Sequence, residues 1–139
     1  MTTMTRTLQV LQPPDWPRPK GYSNGILARG RQVFVAGQVG WDREGRFHST
    51  RMSDQIRQAL ENIVAILAEA GARPEHVVRL TWFITNRDEY NGQLPDIGAA
   101  YRSVMGRHFP VMSVVQVAAL IEDGAKVEIE ATAVLPDPE

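Results

Sequence analysis

Residues 125–134 read AKVEIEATAV, and the fold turns on how this stretch alternates. Val127, Ile129, Ala131 and Ala133 fall on one side of an extended chain, and Glu128, Glu130 and Thr132 on the other. That period of two predicts a strand with one apolar face. At a rise of about 3.3 Å per residue, Glu128 and Glu130 stand roughly 6.6 Å apart on the same face. Two carboxylates at that spacing repel unless water or a partner offsets the charge. The glutamate face is therefore either solvated or lines something.

The neighbouring segments supply the rest of the sheet and its cover. A strand is expected over 113–120, joined to 126–134 by IEDGAK, a hairpin-length loop with an Asp-Gly turn signal. HVVRLTWFIT, residues 76–85, is β-branched and aromatic without a breaker and reads as another strand. Two more are expected over 22–28 and 31–39, with Arg29-Gly30 as the turn between them. Arg43–Arg46 marks a further turn, after which Phe47 starts a short edge strand. The periodicity of Ile56, Leu60, Ile63 and Leu67 predicts a helix over 53–70, with Ser53 at its N-cap and Gly71 at C′. A second helix is expected over 96–105, with Pro95 in its first turn, Ile97, Tyr101 and Val104 on one stripe, and Gly98 weakening it.

The resulting order, ββ(β)αβαββ, is an α+β domain with one sheet and two helices packed on a single face. The domain spans 22–139, and residues 1–21, which carry Pro13, Pro14, Pro17 and Pro19, form an extended lead-in. Phe34, Trp82, Val114 and Val117 cannot all point at two helices. Part of the open face is then apolar, and an oligomer is expected to cover it.

Composition narrows the chemistry. The chain of 139 residues has no cysteine, which removes disulfides, thiolate metal sites and a cysteine nucleophile. A net charge of −1 gives no global attraction to nucleic acid or to an anionic membrane. No apolar targeting segment and no run of 18 apolar residues occurs, so the expected location is the cytoplasm. His48, His76 and His108 have no partner at metal-ligand spacing, and no phosphate-loop or serine-elbow motif is present. Neither a metal nor a cofactor is expected.

The succession YSNGILARGRQVFVAGQVG, QIRQALENIVAILAEAGARPEHVVRLTWFIT and HFPVMSVVQVAALIEDGAKVEIEATAV resembles the Rid family, also called the YjgF or endoribonuclease L-PSP family. The resemblance covers about residues 22–134. It rests on Gly37-Gln38, the LENI helix, the T-x-F-x-T strand, Pro110-x-x-Ser113, VQVAAL and VEIEA. It implies a chorismate-mutase-like fold with a mixed β-sheet, a homotrimer, and small-molecule pockets between subunits. It also implies hydrolysis of enamines or imines to a carbonyl compound and ammonia. On the family pattern, the water-positioning glutamate falls on Glu128, and the pocket residues on Tyr22, Ser113 and Val114. The arginine that grips a substrate carboxylate falls on Met112.

That departure matters because a thioether carries no charge. A charge-assisted pair is worth roughly 1.5–3 kcal/mol, so its loss predicts at least a tenfold drop toward 2-imino acids, at about 1.4 kcal/mol per decade. Two readings follow: an enzyme for enamines or imines lacking the usual carboxylate, and a non-catalytic trimer that binds a metabolite or a partner. An arginine from elsewhere, with Arg29, Arg79 and Arg102 as the candidates, would restore the first. Trp41 and Trp82 read as interface packing, or else as residues that reshape the pocket. The ribonuclease activity in the family's name has no histidine pair or basic patch to support it here.

Overall fold

The computed structural model describes residues 8–138. The alternating stretch becomes β6, Val127–Leu135, an inner strand of a four-stranded sheet. Antiparallel neighbours flank it on both sides: β3, Arg31–Val39, and β4, Val77–Ile84. The edge strand β5, Val111–Gln116, lies parallel to β4. The sheet order is thus β3-β6-β4-β5, a mixed sheet.

The expected hairpin between the last two strands does not form, because β4 lies between them. The Asp-Gly segment still turns locally, with Ala125 N–H donating to Glu122 O. The chain then crosses β4 before pairing. Turn chemistry is local, whereas the choice of neighbour is set by the whole sheet.

Helix α1, Met52–Glu69, covers one face. Ile56, Leu60, Ile63 and Leu67 are fully buried there, in one core with Val35 of β3, Val127, Ile129, Ala131 and Ala133 of β6 and Leu80, Trp82 and Ile84 of β4. The helix begins one turn position earlier than expected. Arg51 is the N-cap, Ser53 lies buried in the first turn, and the Ser53 N–H donates to Gln93 Oε1 at 2.9 Å. A distant side chain therefore replaces the local cap. At the other end Gly71, at φ 73°, takes the left-handed position expected of it.

Between β4 and β5 run two helices where one was expected. They are α2, Arg87–Gly92, capped by Asn86, and α3, Leu94–Met105, which starts at Leu94-Pro95. Together with α1 they make three helices on one face of the mixed sheet. At the end of β5, Gln116 Oε1 accepts from the Arg87 N–H at 2.6 Å.

The lead-in has more structure than a bare extended segment. Leu8–Leu11 form β1 and pair antiparallel with β2, Gly25–Ala28, as a separate two-stranded sheet. The proline cluster is the connection between them; residues 1–7 lie outside the described residues. β2 and β3 are consequently not partners. Gly30 between them, at φ 142°, brings the backbone against Leu135, where a Cβ would stand 1.9 Å from the Leu135 oxygen. No strand forms at Phe47. Its ring packs on Trp41, with centroids 5.7 Å apart, in the loop after β3.

Candidate functional site

At the β5 edge, on the helix side of the sheet, lies a cleft of about 450 Å³. Its position follows from the parallel β4–β5 pair. Leu80, Trp82 and Ile84 face the helices, so their register partners Met112, Val114 and Gln116 do as well. Helix α3 contributes Ile97, Tyr101 and Arg102 to one side of this cleft, opposite Met112 and Val114 of β5. Trp82, Ile97 and Tyr101 form a buried floor, while Phe109, Met112 and Val114 make one wall. The loop before β2 closes the entrance with Lys20, Gly21 and Tyr22. That loop is pinned where Ser23 N–H donates to Pro110 O at 3.1 Å and Ser23 Oγ donates to Phe109 O at 2.5 Å.

The floor is aromatic and neutral. Tyr101 stacks on Phe109 with centroids 5.9 Å apart and stands 6.3 Å from Trp82. Its hydroxyl donates to the His108 carbonyl. Burial pushes the Tyr101 phenol far above the usual tyrosine range and raises that of Tyr90, which also lines the cleft. Neither ionises at any physiological pH.

The rim is cationic. Arg102, on α3, and Lys20 both line the cleft. Arg102 folds back over Gly98, one turn earlier: a Cβ at Gly98 would stand 3.1 Å from Arg102 Nη1. Among the described residues, no ion pair engages Arg102. The other two candidate arginines lie elsewhere. Arg79 is register partner to Thr132 and Val111, and so belongs to the open face, and Arg29 is exposed in the turn between β2 and β3.

Of the residues singled out from sequence, Tyr22, Met112 and Val114 meet in this cleft, with Trp82 as its floor. Ser113 and Glu128 do not. Ser113 is opposite Thr81, and Glu128 opposite Phe83, which places both on the open face of the sheet. There Glu128 lies over Gly37, where a Cβ would come within 2.3 Å of its Oε2. Glu130 is exposed on the same face. Trp41 is remote from the cleft; its carbonyl accepts from Asn62 Nδ2 at 2.9 Å.

Lys20, Gly98 and Arg102 were not singled out as a group. The one trace of them in sequence is the Gly98-to-Arg102 spacing, which puts both on one side of a helix. Among the described residues no three metal-binding side chains cluster. Nor is any of their helices long and apolar enough to cross a membrane.

Comparison with known proteins agrees with this architecture. The sequence model of the family described as endoribonuclease L-PSP matches residues 17–135. The RutC family protein slr0709 of Synechocystis is 32% identical over 94% of this chain and 98% of its own. Human 2-iminobutanoate/2-iminopropanoate deaminase is 32% identical over 81% of this chain and 79% of its own. Among solved structures, the Rid-family protein YyfB of Yersinia pestis, whose function is unknown, superimposes with a TM-score of 0.82 at 30% identity. That match covers 94% of this chain and 100% of the other. Strand order, helix placement and sequence thus converge, and the chain belongs to the Rid/YjgF, or endoribonuclease L-PSP, family.

Proposed function

We propose that the protein is an imine deaminase, hydrolysing a 2-imino acid or its enamine tautomer to a 2-oxo acid and ammonia. The observation that carries this reading is Arg102 seated over Gly98 in the same cleft as Tyr22 and Met112. A guanidinium there supplies the cation that Met112 withholds, and it suits a planar carboxylate. The activity named for the human relative points the same way.

The chemistry asks little of the protein. A protonated imine is already electrophilic, and holding it beside an ordered water converts an encounter into an oriented reaction. The hydroxyl of Tyr22 at the entrance is offered in this proposal as a donor to the nitrogen that gains a lone pair as water adds. Glu128 is the water-orienting base of this proposal. Within one chain it faces away from the cleft, so it must reach a cleft on a neighbouring copy. That requirement agrees with the homotrimer implied by the family resemblance, in which sites form between subunits. The exposed β5 edge beside the cleft leaves room for such a neighbour.

The test is hydrolysis of freshly generated 2-iminopropanoate against its spontaneous rate, for the wild type, Arg102→Gln, and Arg102→Gln combined with Met112→Arg. Loss of a charge-assisted contact of about 1.5–3 kcal/mol gives an expected fall in kcat/KM of at least tenfold for Arg102→Gln. The double variant is expected to recover activity by returning an arginine to the strand. A wild-type rate equal to buffer for both 2-iminopropanoate and the imine of phenylalanine would overturn the deaminase reading in favour of a non-catalytic trimer that binds a metabolite or partner.

A further inference from the structure

We infer that the cleft is built for a 2-imino acid with a bulky aromatic side chain, its carboxylate at Arg102 on the rim and its ring on the floor against Trp82. This rests on the reading of the cleft as the reaction site, and it adds the class of substrate.

Polarity is graded from rim to floor. Trp82 and Tyr101 are 3% and 6% exposed, whereas Arg102 and Lys20 are exposed at the mouth. An arginine at position 112 would place charge on the strand wall. Methionine instead extends the apolar lining, and its flexible, polarisable side chain packs well on aromatic rings. The cation has moved outward to α3, and the space between it and the floor is apolar. A ligand matching this gradient is charged at one end and apolar at the other.

Size and shape agree. A volume of about 450 Å³ falls in the range of pockets that enclose drug-sized ligands. 2-Iminopropanoate would leave much of it to water. Trp82, Tyr101 and Phe109, packed on one another, make the side of the cleft that a ligand ring would meet aromatic.

The reaction balances without an added oxidant or reductant. Water oxygen bonds to the imine carbon, the carbon–nitrogen bond breaks, and the nitrogen leaves as ammonium. The products are the aromatic 2-oxo acid and NH₄⁺.

Binding of stable product analogues tests the inference independently of turnover. 4-Phenyl-2-oxobutanoate and 2-oxobutanoate differ only by the ring. Their affinities for the full chain would be measured by calorimetry, and the indole N–H resonance of Trp82, assigned through Trp82→Phe, followed in parallel. The aromatic acid is expected to bind at least tenfold more tightly and to shift the Trp82 resonance. Arg102→Gln is expected to weaken both acids at least tenfold. Equal affinities, or a Trp82 resonance unmoved at saturation, would overturn the inference. Catalysed hydrolysis of 2-iminopropanoate with equal affinities would leave the deaminase reading standing and remove this one. No turnover of any imine, with the tenfold preference intact, would remove the reaction and keep the ligand class.

Discussion

Gly98 sits inside α3, where glycine costs roughly 0.5–1 kcal/mol relative to alanine. Its hydrogen is what lets the Arg102 guanidinium lie back toward the cleft, since a methyl group would meet Nη1 at 3.1 Å. The contact is with the far end of a flexible side chain, so Gly98→Ala should fold well and move Arg102 without breaking the helix. We expect this variant to gain about 0.5–1 kcal/mol in urea unfolding while its kcat/KM for imine hydrolysis falls several-fold, mainly through KM. A rise in both quantities would mean that the seat on Gly98 has no part in substrate binding. At this scale the sequence was readable only in part. The alternation that isolates Glu128 follows from the chain itself, whereas an arginine replaced at Met112 is what the family resemblance implies. That Arg102 lines the same cleft as Met112 follows from neither, because it depends on how Tyr101 of α3 packs on Phe109, just before β5, and beside Trp82 of β4.

The elements are joined by polar side chains that hydrophobic periodicity does not reveal. Gln55 lies on the buried stripe of α1, 1% exposed. Its Nε2 donates to Ser49 O at 2.9 Å and Gly124 O at 3.0 Å, and its Oε1 accepts from the Lys126 N–H at 2.8 Å. One amide thus fixes the entry to α1 and the entry to β6. Gln55→Leu keeps the apolar stripe but strands three backbone groups, at about 1–3 kcal/mol for a group left unsatisfied when buried. We expect a loss of about 2–4 kcal/mol in urea unfolding, with Gln55→Glu intermediate because it retains the acceptor for Lys126. A loss below about 1 kcal/mol would show that water replaces the amide freely. The strands and α1 were legible because their period-two and helical patterns are strong and local. The crossover of β6 past β4 was not, since the Asp-Gly turn is the same whether or not its flanking strands pair. α2 escaped for a related reason. Its six residues carry no apolar stripe, and it is held by the Asn86 cap, whose side chain accepts from the Glu89 N–H.

At the scale of the whole molecule, the described residues leave one sheet face uncovered, and the side chains there are not those of a solvated surface. Phe34 is 72% exposed and Val115 45%, on the face that also carries Glu128, Glu130 and Arg79. Exposed aromatic and β-branched side chains mixed with charges of both signs suit a surface that meets another copy of itself. The deaminase reading needs the same contact, because Glu128 and the cleft lie on opposite faces of the sheet and can cooperate only between chains. Light scattering should therefore give the wild type a mass about three times that of one chain. Phe34→Glu adds charge to this face and should shift the population toward the monomer, with imine hydrolysis lost in proportion and the secondary structure by circular dichroism unchanged. A Phe34→Glu monomer that hydrolyses imines at the wild-type rate would place the whole reaction within one chain, and Glu128 would then have no role in it. A monomeric wild type would leave the apolar face to some other partner, and the two-chain site would have to be abandoned.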